Sequence, residues 1–235
     1  MSNTPEYFAN LKDKFVTIVA LGDSNTEQNH WTYGSLCWAG MLPMGLYNVF
    51  PKGKCVINSG ISGDSVESGL RRLNRDVLRF NPDIVIISYG GNDCFKVSLE
   101  TFRGQLLEMI NVIRNGCNSS IILKTPTPMI DMMTGLETNS IKIGETVYQT
   151  DLAAFSSVIC DVAGKESLLL VDHYSKWKRS MESPCRQDII RLMGNPQHPN
   201  ALGHRRLYHE LAPVFNADNY FYYDWQRILI DTEAF

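Results

Sequence analysis

Short runs of apolar, mostly β-branched residues alternate along this chain with longer amphipathic stretches. A run without polar side chains is typical of a strand that is buried on both faces of a sheet. Runs of this kind predict five strands, at residues 15–21, 55–58, 84–89, 121–124 and 168–171. Their separation along the chain favours parallel pairing, because parallel strands need long crossover connections.

Apolar residues recur at helical spacing in the intervals around these runs. The spacing predicts four helices, at residues 66–77, 99–113, about 147–162 and 204–214. Alternation of strands and helices indicates an α/β fold in which helices cover both faces of a parallel sheet. In such folds ligands bind beyond the carboxyl ends of the strands, where the strand order reverses.

A chain of 235 residues with 44% apolar residues can bury one sizeable core. It contains no internal repeat, low-complexity tract or flexible linker, so we predict a single domain over residues 1–235. An aromatic C-terminal extension begins at about residue 216. Its segment 219–225 is predicted either to pack over the domain or to form a contact between subunits of a homo-oligomer.

Charge and composition exclude several classes of partner. The net charge of −3 gives no reason to expect nucleic acid or an anionic membrane, and no apolar run approaches the length of a membrane span. The basic clusters 71–72 and 204–206 lie in helical patterns, where we expect solvated helix faces.

The first fourteen residues are polar and do not form a signal peptide. Six cysteines without CxxC spacing predict reduced, mostly buried thiols rather than disulfides. A cytoplasmic protein is the expectation from both features.

Four polar motifs follow successive predicted elements. Gly22-Asp23-Ser24 follows the first strand, residues 60–64 follow the second, residues 90–93 follow the third, and His198-Pro199-Asn200 lies near the C-terminus. The glycine permits a tight turn that presents Ser24 at the sheet edge, as a nucleophile or as a helix cap. Taken singly, each motif is also compatible with a structural turn; taken together, they favour a catalytic site.

The blocks GDS, GxxG, GGND and HPN, in this order over about residues 15–211, resemble those of the SGNH branch of the GDSL esterase/lipase family. The resemblance implies a flavodoxin-like three-layer α/β/α sandwich with a central five-stranded parallel sheet. It also implies Ser24 as nucleophile and His198 as general base. The oxyanion hole would consist of the Ser24 and Gly63 backbone N–H groups and the Asn92 side chain, with no metal or organic cofactor.

The residue types suit these roles. A serine hydroxyl needs a hydrogen-bonded base to remove its proton, and histidine can do this near neutral pH. Glycine and asparagine can supply neutral donors to a tetrahedral oxyanion. The carboxylates of Asp23, Asp64 and Asp93 adjoin these positions, and we expect them to act as turn formers and loop anchors.

One position departs from the family pattern. Members usually carry Asp three residues before the histidine, whereas this chain has Asn195. Loss of that carboxylate can lower kcat by about 10⁴ in a serine protease. The sequence leaves four explanations open: orientation of His198 by Asn195 or a backbone carbonyl, another carboxylate such as Asp188, a weakly active or non-catalytic relative, and an engineered substitution. We favour the first.

Two segments are candidates for shaping the substrate site. Residues 126–144 form a predicted long loop, in which the methionines at 129, 132 and 133 could line a pocket or pack on the body. The aromatic residues Trp31, Tyr33 and Trp38 follow Ser24 closely; they could stack on a sugar, but core packing is favoured.

We therefore predict a carboxylic ester hydrolase that forms an acyl-enzyme, with a short-chain ester of an O-acetylated carbohydrate as substrate. A thioesterase or lysophospholipase would use the same site. A weakly active or non-catalytic carbohydrate-binding relative is the alternative that Asn195 motivates. Nucleotide binding is less favoured because the full glycine fingerprint is missing, and metal binding because the histidines lack metal-site spacing.

Overall fold

The computed structural model describes residues 5–143, 145–182 and 186–217. Its strands are β1 Val16–Gly22, β2 Lys54–Gly60, β3 Ile84–Ser88, β4 Ser120–Lys124, β5 Ser140–Ile143, β6 Thr146–Gln149 and β7 Leu169–Val171. Its α-helices are α1 Trp38–Gly45, α2 Val66–Asp76, α3 Leu99–Gly116, α4 Leu152–Lys165, α5 His173–Met181 and α6 Ala201–Leu211. Short 3₁₀ segments lie at Glu6–Leu11, His30–Thr32, Leu78–Phe80, Asp93–Phe95, Arg186–Leu192 and Ala212–Phe215.

Five strands form one sheet in the order β2-β1-β3-β4-β7. Every neighbouring pair is parallel. The five-stranded parallel sheet predicted from the apolar runs is confirmed, and its order is that of flavodoxin-like folds.

Side chains that alternate along each strand divide the core into two layers. Ile18 and Ala20 of β1 pack in a cluster with α1, α5 and α6, whereas Val19 and Leu21 pack with α2, α3 and α4. Residues 84–87 of β3 and 121–123 of β4 are therefore all apolar, because helices cover both faces of the sheet there. The three-layer α/β/α sandwich is confirmed.

The strand order reverses at β1, which has β2 on one side and β3 on the other. Chain segments leaving β1 and β3 therefore diverge, and a crevice opens between them at the carboxyl edge of the sheet. Ser24 follows β1, and Asn92 follows β3. The topology alone places these two sequence motifs at the same crevice.

The last helix begins earlier than its apolar periodicity indicates. Asn200 Oδ1 accepts hydrogen bonds from the backbone N–H groups of Leu202 (2.9 Å) and Gly203 (3.2 Å), which makes Asn200 the N-cap of α6. The predicted span 204–214 is wrong at both ends, because α6 ends at Leu211 and a 3₁₀ turn containing Pro213 follows.

The helix predicted at 147–162 is wrong in its first part. Residues 146–149 form β6, which pairs antiparallel with β5. Only β5 lies within the predicted loop 126–144. Helix α4 begins only at Leu152. Asp151 is its N-cap, because the Asp151 side chain accepts a hydrogen bond from Ala154 N at 3.2 Å. The apolar residues before this cap belong to a strand, whose contribution to the periodicity is indistinguishable from that of a helix turn.

The two basic clusters are not simply solvated faces. Arg71 is exposed, but Arg72 is 8% exposed and forms salt bridges with Asp64 (2.6 Å) and Asp76 (2.8 Å). In the second cluster, His204 lies in the core at 1% exposure. Burial of Arg72 is possible because its guanidinium donates hydrogen bonds to acidic groups and to a backbone carbonyl, Gly22 O, at 3.0 Å.

The five cysteines within the described residues are free thiols, as predicted. Of these five, only Cys37 and Cys117 are buried, whereas Cys94 and Cys160 are half-buried and Cys55 is exposed, so the prediction that most are buried is wrong. Cys185 and the aromatic segment 219–225 lie outside the described residues, so the predictions for them stay predictions. Within the described ranges, no helix is both long and apolar enough to cross a membrane.

Candidate active site

The turn after β1 holds Ser24 in a fixed position. A Cβ on Gly22 would lie 2.3 Å from Thr26 Oγ1 and 2.6 Å from Ser88 O, so only glycine fits this turn. Asp23 Oδ1 accepts from Asn25 N at 2.9 Å, and the Asn29 amide donates to Ser24 O at 2.6 Å. These bonds close the turn on both sides of the serine.

Ser24 and His198 are in direct contact. Ser24 Oγ lies 2.9 Å from His198 Nε2, and His198 Nδ1 lies 3.0 Å from Asn195 Oδ1. The predicted nucleophile, base and orienting residue therefore form a continuous chain of hydrogen bonds. Asp188, the alternative partner, has an exposed side chain and lies 3.9 Å from Arg191. The structure does not bring it into this chain.

Backbone donors fix which atom of Asn195 faces the histidine. Asn195 Oδ1 accepts from the backbone N–H groups of Gln197 and His198, each at 2.8 Å. The oxygen, rather than the NH₂ group, must therefore point toward His198 Nδ1. Since Nδ1 then carries the proton, Nε2 presents its lone pair to Ser24 Oγ. Asn195 thus selects the same tautomer that a carboxylate would select, without supplying a negative charge.

The imidazole of His198 is neutral at physiological pH. Burial, and to a smaller extent the nearby His30, lower the pKa of His198 to about 4. A neutral imidazole is the form that can accept a proton from serine.

Gly63 and Asn92 line the same cavity as Ser24 and His198, and this cavity has a volume of about 150 Å³. Gly63 has φ of +74°, which favours glycine. One Asn92 Nδ2 proton is donated to Asp64 O at 2.9 Å, which fixes the amide and leaves the second proton for another acceptor. The arrangement can present neutral donors to an oxygen held beside Ser24.

The three aspartates next to the motifs act as loop anchors in this structure. Asp93 accepts from Val66 N at 2.9 Å and from Gly90 N at 3.0 Å, which ties the loop after β3 to α2. Asp64 binds the buried Arg72. Asp23 is 4% exposed, and burial raises the pKa of its carboxyl to about 7.

One wall of the cavity includes Pro126, Thr127 and Met129, from a segment that is anchored to the body of the protein. Glu137 in this segment bonds to Tyr174 and Lys178 of α5. Of the three candidate methionines, only Met129 lines the cavity. Met132 packs against the core, which is the alternative of packing on the body, and Met133 is 87% exposed.

The three aromatic residues after Ser24 have different environments. Trp38 is fully buried, and its Nε1 donates to Asn25 O at 2.9 Å, as core packing predicts. Tyr33 is 77% exposed, so core packing is wrong for it. Trp31 lies against the His198 ring with a centroid distance of 5.3 Å.

The sequence did not predict the contacts that two residues, Trp31 and Lys124, make near the site. The Trp31 contact joins segments that are distant in the chain, and only the position of Trp31 in the loop after Ser24 pointed to it. Lys124, at the end of β4, is buried with its Nζ 3.4 Å from the Trp38 ring centroid, and burial lowers its pKa to about 7. Across the described ranges, no group of three or more His, Cys, Asp or Glu side chains is placed to hold a metal ion.

This fold is that of SGNH-type hydrolases. The model of the GDSL-like lipase/acylhydrolase family matches residues 20–206, and the chain belongs to this family. The match spans all of the motifs that form the cavity, from Ser24 to His198.

Solved structures with the same fold include two esterases of acetylated xylan. The acetylxylan esterase Axe2 from Geobacillus stearothermophilus is 20% identical, with 83% of this chain and 92% of that chain covered at a TM-score of 0.65. The acetyl xylan esterase AlAXEase is also 20% identical, with 85% and 99% covered at 0.67. Crystallised Axe2 variants include a Ser→Ala and an Asp→Ala substitution, each described as a catalytic mutant.

Two further relatives are similar in sequence. A lipase/acylhydrolase from Enterococcus faecalis is 27% identical, with 84% of this chain and 94% of that chain covered at a TM-score of 0.59. The uncharacterized lipoprotein YqeF of Bacillus subtilis (strain 168) is 30% identical over 122 residues, 48% of this chain. The alignment spans about half the length of that relative (49%).

Proposed function

We propose that this protein is a serine ester hydrolase in which Ser24 attacks the carbonyl carbon of a short-chain ester. The observation that carries the proposal is the chain Ser24 Oγ, His198 and Asn195 Oδ1, linked at 2.9 and 3.0 Å and opening on one cavity. Membership of an acylhydrolase family supports an ester-type substrate.

In the acylation step, Ser24 Oγ forms a bond to the carbonyl carbon while its proton moves to His198 Nε2. The carbonyl oxygen becomes an oxyanion, and the Ser24 N–H, the Gly63 N–H and the Asn92 side chain donate to it. His198 then gives the proton to the leaving alcohol oxygen as the carbon–oxygen bond breaks, which leaves an acyl-enzyme.

Deacylation repeats this sequence with water as nucleophile. His198 takes a proton from water, the oxygen adds to the acyl carbon, and Ser24 leaves with the proton returned by His198. Every step alternates the imidazole between neutral and charged forms. The neutral resting state set by burial therefore suits both half-reactions.

The dimensions of the cavity favour a short acyl group. Its volume of about 150 Å³ is below the roughly 300–1,000 Å³ that is usual for ligand pockets. Met129 and Leu152 supply apolar wall, and the Glu137 contacts tie the Met129 segment to α5. We propose an O-acetylated carbohydrate as substrate, which the fold shared with two acetylxylan esterases also supports.

The direct test is hydrolysis of p-nitrophenyl acetate by the wild type, Ser24→Ala and His198→Ala. We expect each substitution to lower kcat by at least about 10³, because the two residues act as a unit. Ser157→Ala is the matched control, since this serine is exposed on α4. Equal rates for all four proteins would contradict the esterase proposal.

A substrate comparison separates the alternatives. Acetate release from acetylated xylooligosaccharides is expected to exceed release of fatty acid from a lysophospholipid and cleavage of an acetyl thioester. Faster turnover with dodecanoyl than with acetyl esters would favour a lipase-type activity instead. Binding of the oligosaccharide without any hydrolysis would favour the non-catalytic relative.

The cytoplasmic location stays a prediction, and the B. subtilis relative is named as a lipoprotein.

A further inference from the structure

Trp31 occupies an unusual position beside the candidate base. Its indole ring is nearly parallel to the His198 imidazole, with 10° between the planes and 5.3 Å between the ring centroids. This separation lies within the range of offset aromatic stacking and within about 6 Å, the range over which a ring face attracts a cation.

The loop that carries Asn195 leaves room for the indole. A Cβ on Gly194 would lie 3.0 Å from Trp31 Cε3, so even an alanine there would press on the ring. Gly194 N also donates to His198 O at 2.8 Å. Trp31 is therefore packed against the two ends of the segment 194–198, which sets the position of His198.

The site also lacks a carboxylate that would stabilise a positive charge on His198. The imidazole gains a positive charge when it takes the Ser24 proton, and in a Ser-His-Asp triad the carboxylate stabilises this charge. Asn195 fixes the tautomer of His198 through Oδ1 but carries no charge. The positive charge must be stabilised by another group if the dyad is to be efficient.

We propose that Trp31 is a positioning residue that holds the His198 ring and stabilises its imidazolium through the face of the indole, in partial replacement of the missing carboxylate. This inference deepens the proposed function and rests on it. The proton still moves from Ser24 Oγ to His198 Nε2, and Trp31 takes part in no bond. Its contribution appears only when His198 is charged, so it accelerates the reaction without tightening substrate binding.

The test uses the series Trp31, Trp31→Phe and Trp31→Leu. Phenylalanine keeps an aromatic face, whereas leucine covers a similar area without one. For p-nitrophenyl acetate we expect kcat to fall in the order Trp, Phe, Leu, roughly tenfold between Trp and Leu, with KM unchanged. Tyr33→Leu, which alters an exposed aromatic residue of the same loop, is expected to leave kcat unchanged.

A second readout is independent of catalysis. NMR titration of His198 in the free protein is expected to give a pKa about half a pH unit higher in Trp31→Phe than in Trp31→Leu. His30 also contacts the indole, at 4.4 Å, and lowers the pKa of His198, so it is retained in every variant. Should Trp31→Leu fail to fold, Trp31→Met supplies the non-aromatic side chain.

Equal kcat and equal His198 pKa in the Phe and Leu variants would overturn the inference and leave Trp31 as a packing residue. The NMR titration distinguishes a failure of the proposed esterase function from a failure of the inference about Trp31. If the wild type hydrolyses no ester but the pKa order holds, the proposed function fails while the electrostatic contact stands. If hydrolysis depends on Ser24 but the pKa order is absent, only the inference about Trp31 fails.

Discussion

Asn195→Asp restores the carboxylate that related sequences carry at this position, and its effect follows from the distances. The substituted oxygen would lie 3.0 Å from His198 Nδ1, close to the two backbone N–H groups that already hold Asn195 Oδ1. Two unit charges about 4 Å apart interact by about 4 kcal/mol at an effective dielectric constant of 20, or roughly three pKa units. Desolvation of the new carboxylate offsets part of this, so we expect the pKa of His198 to rise by about two units.

The rise in pKa has opposite consequences at low and high pH. In the wild type, the pKa of about 4 keeps His198 neutral down to mildly acidic pH, and activity declines only near that value. In Asn195→Asp, the base is protonated below about pH 6, so the acid limb of kcat/KM moves upward by about two units. Above pH 7 the stronger base should raise kcat by about tenfold.

The assay is the pH dependence of kcat/KM for p-nitrophenyl acetate, together with NMR titration of His198. Asn118→Asp is the matched control, since it makes the same change of net charge at an exposed residue just before the amino end of β4. If the acid limbs of the wild type and Asn195→Asp coincide and the His198 titrations agree, Asn195 does not face Nδ1 as the geometry requires.

Four other substitutions probe the oxyanion donors, the buried ion pair and the cavity wall. Asn92→Ala should lower kcat by about 10²–10³ with little change in KM, measured with p-nitrophenyl acetate; an unchanged kcat would remove Asn92 from the oxyanion hole. Gly63→Ala should cost roughly 1–2 kcal/mol of unfolding free energy in urea denaturation, because φ is +74°; an unchanged midpoint would refute that strain. Arg72→Met should cost about 3–5 kcal/mol, because it leaves the buried Asp64 carboxylate without its cationic partner, with only the Tyr89 hydroxyl still donating to it. The exposed Arg71→Met should change stability by less than about 1 kcal/mol; equal losses would show that burial of Arg72 is unimportant. Met129→Ala should shift the ratio of butanoyl to acetyl ester turnover upward, because it enlarges the cavity; an unchanged ratio would mean that Met129 does not limit acyl length.

The sheet could be predicted because its three central strands, β1, β3 and β4, are buried on both faces. Ile18 and Val19 point to opposite layers, yet both layers are apolar, so the run itself marks the strand. The position of the crevice could also be predicted, since β1 and β3 lead into polar motifs at one edge of the sheet. The pairing of β5 with β6 was missed because four-residue strands carry little periodic signal next to a helix.

Features that depend on contacts between distant segments were not accessible from local pattern. The sequence pattern predicts that Arg72 is solvated like Arg71, but its burial depends on acceptors from other segments, Gly22 O and the Tyr89 hydroxyl. The role of Asn195 was left open because hydrogen-bond orientation decides between a donor and an acceptor facing His198. Two backbone N–H groups donate to the Asn195 side-chain oxygen, and they place that oxygen rather than the NH₂ group beside His198 Nδ1.

The most direct test of the central claim is detection of the acyl-enzyme. The protein is mixed with p-nitrophenyl acetate, quenched in acid within the first turnover, digested and analysed by mass spectrometry. We expect an acetyl group on Ser24 in the wild type and no acetyl group at this position in Ser24→Ala. An unmodified Ser24 under conditions of measured hydrolysis, or equal acetylation of the Ser24→Ala protein at another residue, would contradict the claim.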